Sequence, residues 1–550
     1  MAFKKRLINF FSSSPSYSFG FRQRQKLKQK IFISLLFSLF ILFGNQTKIL
    51  SPKLQFLLAT TIIFWAGFPI FLPSFKNLFH LALSSELLIS LGIIIPYLYS
   101  ATATFFPQHF SQESSLFFHT STLILSVILI GQYFERTLLI KTENFSQKFP
   151  YSLPKKVTLI KNNKPRKISF KKIKKGDLIL CSSQEKIPAD GQIQQGIALV
   201  NERMITGQET PVYKNPKDKV FAGTRNLSGS ILIKVIKTGH QTLVCQALKV
   251  IGQPPPYQNS KYNLIILIIA VFTFFFWYLF FDQPLALALL TATTILVVAN
   301  SHLLTQPDKI LLSIAQNLAF KNGIIIKNPQ GIKILPKSDV LLFEKTGILN
   351  SKSPKNFSWA IFSPDIPHQH AQKTLDFFYQ KNKKVILFSD NDRLPTQIFA
   401  KSLKIKNFFW GLSLSQKKEQ IKKIKMENPN SLITFIGHPL KDSSLFKTAD
   451  LGIAVKTNSP SLFKTSAQIA LITNNINLLS KVYKISQKSL NIIKQNNFFR
   501  FLYSLIFLPL AAGILYPFGI KPNPLFAAVC MNLSLGFLLL NSLRLKKLQL

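Results

Sequence analysis

The chain has 550 residues, of which 47% are hydrophobic and only 16% charged, with 51 phenylalanines. That length and apolarity exclude a small soluble module and leave a multidomain or membrane-embedded protein. Lysine and arginine number 68 against 22 aspartate and glutamate, a formal net charge of +46, yet the chain has no zinc-finger spacing, no RNA-recognition signature and no helix-turn-helix. The lysines are spread over the polar regions rather than gathered on one stripe, so nucleic acid is not an expected partner, and the charge is read as a biased composition attracted to anionic lipid surfaces. Cys181, Cys245 and Cys530 are far apart with no C-x-x-C pair. They predict neither a disulfide framework nor a zinc site.

Apolar runs at 31–44, 54–72, 81–100, 115–133, 264–281, 285–304, 498–516 and 525–543 predict about eight membrane spans, the first of them short. The first run lacks a small-residue cleavage site and a second run follows at once, so it is expected to be a span rather than a signal sequence. Lys4, Lys5, Arg6, Arg22, Arg24, Lys26, Lys28 and Lys30 precede it, and Arg544, Lys546 and Lys547 follow the last run. An even number of spans with basic flanks places both termini in the cytoplasm of a cell or inner membrane, with the two long polar insertions on the same side. The expected divisions are 1–30 a basic segment, 31–140 four spans, 141–262 a first insertion, 263–305 two spans, 306–497 a second insertion and 498–550 two spans with a basic tail.

In the first insertion, short β-like runs separated by Lys, Asn and Gly turns predict a small β-rich domain. It contains Gly176-Asp177, Ile187-Pro188-Ala189-Asp190-Gly191 and Met204-Ile205-Thr206-Gly207-Gln208-Glu209-Thr210-Pro211. Each alone is ordinary turn chemistry. In the second insertion, strand-like runs near 340–343, 385–388, 432–436, 451–455 and 469–472 alternate with helix-like segments, the pattern of a parallel sheet flanked by helices. Val340-Leu341-Leu342-Phe343 runs straight into Glu344-Lys345-Thr346-Gly347, as in a buried strand that delivers polar groups at its carboxyl end.

In this order and spacing the motifs resemble the heavy-metal (copper-type) transporting P-type ATPases. Glu344–Gly347 stands at the DKTGT phosphorylation motif, Phe388-Ser389-Asp390-Asn391 at TGDN, Lys418 at the phosphate-binding lysine and Gly437-His438-Pro439-Leu440-Lys441-Asp442 at GDGxND. Thr206-Gly207-Gln208 stands at the TGE loop of the actuator domain. The resemblance implies a multi-pass α-helical membrane protein with a β-rich actuator-like domain in the cytoplasm and a haloacid-dehalogenase-like α/β phosphorylation domain. In the family such a protein uses ATP and Mg²⁺ to move a metal cation.

The departures fall on the chemistry. Glu344 replaces the nucleophilic aspartate, and its extra methylene displaces the carboxylate by about 1.5 Å, an error that costs catalysis heavily. His438 replaces the carboxylate that holds Mg²⁺, an ion that prefers oxygen ligands, and Lys441 replaces the asparagine beside it. Gln208 replaces the hydrolytic glutamate, and an amide cannot serve as a base; Glu209 is one residue out of place. Between Gly347 and Phe388 there is no room for the family's nucleotide-binding insertion. The Cys-Pro-Cys transport motif is replaced around Ala299-Asn300-Ser301-His302. Four residues remain as candidate metal contacts: His302, and Tyr503, Met531 and Ser534 of the last two spans, with Cys530 beside them.

The expectation is therefore a degenerate member lacking the nucleotide-binding domain, with ATP and Mg²⁺ lost as cofactors and catalytic equivalents (Glu344, Lys345, Thr346, Gly347, Asp390, Lys418, Asp442, Thr206, Gly207, Gln208) that no longer function. Its present role would be that of a membrane scaffold or regulator of another membrane protein or pump. The alternatives are a metal transporter driven by a partner or a gradient, with a bound metal ion, and a product in decay.

Overall fold

In a computed structural model, residues 17–550 are described apart from 48, 80–82, 111–115, 153, 155, 162–163, 207–209, 251–259, 282–283, 300–301, 351–365 and 456–464. The chain divides into two compact units, one of residues 1–142, 255–311 and 492–544, the other of 143–254, 312–491 and 545–550.

The first unit is helical. Helices Tyr17–Gln46, Pro52–Phe79, Ser85–Phe105 and Phe118–Ser152 begin the chain. Ser260–Phe275 runs on into a π turn Phe276–Phe280, then come Leu285–Val298, His302–Phe320, Leu478–Ala511 and Pro524–Leu543. Among the described residues, five stretches are long and apolar enough to cross a membrane: Gln25–Gln46, Pro52–Phe75, Ser85–Phe105, Lys261–Phe280 and Pro524–Lys547. Helix also occupies the three other apolar runs, but Leu285–Val298 is a short apolar helix. Within the run expected over 285–304, one helix ends at Val298 and another opens at His302.

Small and polar side chains hold these helices together, as they must where apolar contact gives no advantage over lipid. A Cβ on Gly92 would come within 2.9 Å of Val297 Cγ2, and hydroxyls pair between helices at Ser74–Ser90 (2.8 Å) and Thr60–Tyr97 (2.8 Å). Asn532 Nδ2 donates to the Val127 carbonyl at 3.2 Å, and Trp277 Nε1 to that of Ala512 at 2.8 Å.

The second unit begins with strands β1 (Lys156–Lys161), β2 (Lys164–Ser169), β3 (Leu178–Cys181), β4 (Asp190–Gln195) and β5 (Ala198–Asn201). They are followed by β6 (Val212–Lys214), β7 (Lys219–Val220), β8 (Arg225–Ser228) and β9 (Ile231–Lys237). These make a six-stranded sheet in the order β2-β1-β3-β9-β4-β7 and a three-stranded sheet β6-β5-β8. Alternation sets their faces: Ile231, Ile233 and Val235 of β9 point inward while Lys234 stays exposed. Asp190 ties the domain to its closing helix, its carboxylate accepting from the amides of Ala222 (2.8 Å) and Leu243 (2.7 Å).

Its other half is an α/β layer. Strands β10 (Ile324–Ile326), β11 (Ser338–Glu344), β12 (Lys384–Phe388), β13 (Asn407–Phe409), β14 (Leu432–Gly437), β15 (Leu451–Val455) and β16 (Ile469–Leu471) form one sheet in the order β10-β16-β15-β14-β11-β12-β13. All pairs are parallel except β10 with β16. β11, β14 and β15 are apolar runs whose successive residues are nearly all buried, so both faces of the sheet are covered there.

Candidate functional site

The parallel register fixes what can meet. Glu344 of β11 stands opposite Phe388 of β12, and Phe343 opposite Ile436 of β14. The carboxyl ends of three neighbouring strands therefore release their loops at one place, the usual location for polar chemistry in such sheets. Those loops carry Lys345–Gly347, Ser389–Asn391 and His438–Asp442.

Glu344 ends its strand almost wholly buried, and its Oε2 lies 2.7 Å from Nζ of Lys417. Lys417 belongs to helix Leu414–Glu427, which starts in a capping box: Ser413 Oγ accepts from the Gln416 amide, and Gln416 Oε1 accepts from the Ser413 amide at 2.8 Å. With the helix start fixed, Lys417, Ile421 and Ile424 share its buried face. Lys418, the lysine expected from the motif, is one position round and does not lie on that face. The lysine at the site is Lys417. The Ile421/Ile424 spacing, taken back one turn, was the available signal for it.

Burial pushes the Glu344 carboxyl up to about 7; the charge and hydrogen bond of Lys417 oppose this, while Asp442 and Asp390 add to it. Asp442 is also buried, and its carboxyl is raised by burial against the His438 amide, which donates to its Oδ2 at 2.6 Å. Asp390 is exposed. Partial burial raises its carboxyl, but the Thr346 hydroxyl, donating at 2.9 Å, and the charges of Lys417 and Lys441 outweigh that and lower it.

The remaining sequence-identified groups are placed as follows. Lys345 is fully buried, its Nζ 5.3 Å from the Phe399 ring centroid. With its amide oriented to satisfy both neighbours, Asn391 accepts from Lys345 Nζ at 3.2 Å and donates to Asp390 Oδ1 at 3.1 Å. Gly347 takes φ +77°, a left-handed turn that suits glycine, and its amide donates to Asn350 Oδ1 at 2.7 Å. Thr206 ends the short helix Arg203–Thr206, while Gly207 and Gln208 lie outside the described residues. The structure thus joins Glu344, Lys345, Thr346, Gly347, Asp390 and Asp442, and adds Lys417, Asn391 and Asn350.

These groups fit Mg²⁺ poorly. The ion requires several oxygens in near-octahedral array, whereas Glu344 is held by Lys417, Asp390 by Thr346 and Asp442 by a backbone amide. Among the described residues no group of three or more His, Cys, Asp or Glu side chains is placed to hold a metal ion. No step through Mg²⁺ or ATP follows from this geometry.

Of the candidate metal contacts in the helical unit, Tyr503 and Met531 are buried and Ser534 is half-buried, as is Cys530. The Tyr503 hydroxyl is buried with no hydrogen-bond partner among the described groups. The His302 side chain and residues 300–301 lie outside the described residues.

Residues 151–251 match the family model of the P-type ATPase actuator domain. A probable copper-exporting P-type ATPase of Archaeoglobus fulgidus is 24% identical over 95% of this chain and 78% of its own length. A copper-exporting P-type ATPase of Legionella pneumophila is 23% identical, over 91% of this chain and 85% of its own. The crystal structure of a zinc-transporting PIB-type ATPase in its E2.Pi state matches the fold with a TM-score of 0.54 at 15% identity, covering 95% of this chain and 100% of the other. Residues 151–251 thus carry a P-type ATPase actuator domain, and along almost its whole length this integral membrane protein is similar to copper-exporting P-type ATPases.

Proposed function

We propose that this protein keeps the architecture of a heavy-metal-cation P-type ATPase without its ATP-driven motor, and acts as a membrane scaffold or regulator. The observation that carries this reading is the buried pair Glu344–Lys417. The carboxylate at the nucleophile's position is held by a lysine at 2.7 Å, and among the described residues no group of three or more His, Cys, Asp or Glu side chains accompanies it to hold a cation that would neutralise a transferring phosphoryl group. The short passage from Gly347 to Phe388 supports the same conclusion, since a nucleotide-binding domain has no place there. Eight spans, cytoplasmic termini and a truncated haloacid-dehalogenase-like domain belong to this proposal. So do docking of a partner membrane protein or pump through the two polar domains and attraction of the basic surface to anionic lipid.

The test is phosphoenzyme formation from radiolabelled ATP by the full chain in lipid, with Mg²⁺ and with copper, silver and zinc salts in turn, beside Glu344→Gln. No label in either protein is the expected result. Label in the wild type that disappears in Glu344→Gln would overturn the proposal.

A second reading, transport of a copper-type metal ion with energy from a partner or a gradient, draws support from the orphaned Tyr503 hydroxyl and the buried Met531. On that reading His302, Tyr503, Met531 and Ser534 contact the ion. Metal accumulation that depends on His302 and Tyr503 favours it over the scaffold role.

A further inference from the structure

The segment that re-enters the α/β layer before helix Ala371–Gln380 carries two histidines one residue apart, His368 and His370. Their backbone is firmly held. The His368 amide donates to the Leu349 carbonyl at 2.6 Å, the Ala371 amide to that of His368 at 2.8 Å, and Thr374 donates to the His370 carbonyl from its amide (3.1 Å) and its hydroxyl (2.9 Å). Asn350 pairs with Pro367 in an isolated bridge. The two imidazoles are thereby tied to the Lys345–Leu349 turn, which carries Thr346 and Gly347.

Both rings are partly buried, with centroids 6.1 Å apart and planes at 49°. Nδ1 of His368 faces residue 370, where it accepts a long 3.4 Å contact from the His370 amide. That contact is made to the backbone amide and is long for a hydrogen bond, so this nitrogen is readily given up to a stronger acid. Burial first, and the charge of His370 second, lower the His368 pKa, which favours the neutral, ligating imidazole.

A metal about 2.0 Å from an imidazole nitrogen lies about 3.2 Å from the ring centroid, so two rings on one ion stand at most about 6.4 Å apart. The observed separation falls just inside that limit, so an ion shared by the two rings would need a nitrogen–metal–nitrogen angle well beyond the tetrahedral value that zinc prefers. We infer that His368 and His370 form a transition-metal site, and that the ion is copper in its monovalent state, which is satisfied by two widely spaced ligands. Occupancy fixes the two histidines of a segment whose backbone is already bonded to the Lys345–Leu349 turn. The metal state of this site is thus passed to Thr346 and, through its hydroxyl, to Asp390.

The site is tested with the full chain in nanodiscs, titrated anaerobically with Cu(I) against a chromogenic chelator, and separately with Zn²⁺. His368→Ala and His370→Ala are each expected to lose one equivalent of Cu(I) that substitution of an exposed histidine of the helical unit, His109→Ala, retains. Hydrogen exchange of residues 345–350 slows on addition of Cu(I) in the wild type and not in the two variants. A His368→Ala/His370→Ala protein that binds as many equivalents as wild type, with the same affinity, overturns the site. Tighter binding of Zn²⁺ than of Cu(I) at these histidines, or an X-ray absorption spectrum with more than two nitrogen neighbours on the copper they hold, overturns the identity of the ion.

Discussion

Nζ of Lys417 and Oε2 of Glu344 are 2.7 Å apart, with side chains 7% and 5% exposed. A pair so buried repays its desolvation only while both charges are present. Above about pH 7, where Glu344 is ionised, Lys417→Met alone should therefore destabilise the second unit by roughly 3–5 kcal/mol, because a buried carboxylate is left without its lysine. Glu344→Gln/Lys417→Met removes both charges and is expected to recover most of that loss. The check is a double-mutant cycle by thermal unfolding of the full chain in nanodiscs, with hydrogen exchange on β11 peptides reporting the second unit. Additive single effects would contradict the pairing.

The same pair sets a pH dependence. The Glu344 carboxyl is raised by burial from 4.5 to about 7, so between those values the folded chain holds a proton that the unfolded chain has released. Stability from this group is complete below about pH 4.5 and is lost as pH rises through 7. Asp442, raised mainly by burial, acts in the same direction. Midpoint temperatures of the second unit measured from pH 5 to 8 should fall toward the alkaline end more steeply in the wild type than in Glu344→Gln/Lys417→Met. Parallel profiles would contradict the assignment.

Which lysine occupies the site can be separated from the general basic character of the helix. Ser413 caps Leu414–Glu427 and so holds Lys417 in register with Ile421 and Ile424. Ser413→Ala should cost about 1 kcal/mol by loss of the cap, and Lys418→Met, off the buried face, less than about 0.5 kcal/mol. The same unfolding assay measures both. A Lys418→Met loss as large as that of Lys417→Met would restore the assignment made from the motif alone.

The parallel sheet was legible because β11, β12, β14 and β15 are apolar runs of strand length ending in polar loops, and register then brings Glu344, Asp390 and Asp442 together. Lys417 escaped notice because motif spacing does not specify helix phase; the Ser413–Gln416 cap and the Ile421/Ile424 face do. The end of helix Leu285–Val298 inside an apolar run was equally hidden. A continuous apolar run encodes burial but not where its backbone hydrogen bonding stops. The motifs name Thr346 and Asn391, but their hydrogen bonds to Asp390, and that of Asn350 to Gly347, depend on neighbours on other strands or turns, which local pattern does not supply.

A last prediction concerns the helical unit. Arg500 Nη2 lies 2.9 Å from Asp308 Oδ1, and its Nη1 donates to Asn497 Oδ1 at 2.6 Å. Close by in sequence, Asn496 Nδ2 donates to Ser542 Oγ at 3.2 Å, and Asn541 Nδ2 donates to Asn496 Oδ1 at 2.9 Å, joining the last two long helices by side-chain amides. The Ser542 hydroxyl also donates to the Pro307 carbonyl at 3.3 Å. Charged groups in such a unit are costly when their partner is removed. Arg500→Leu is therefore expected to lower stability by about 3–5 kcal/mol, and Asn541→Leu by about 1–2 kcal/mol through a lost interhelical hydrogen bond. Arg500→Leu/Asp308→Leu should be more stable than Arg500→Leu alone, because no charge then remains without its partner. Yield of folded chain and unfolding midpoint in nanodiscs provide the measurement, and a double variant worse than the single one would mean that the carboxylate of Asp308 has a second task in this unit.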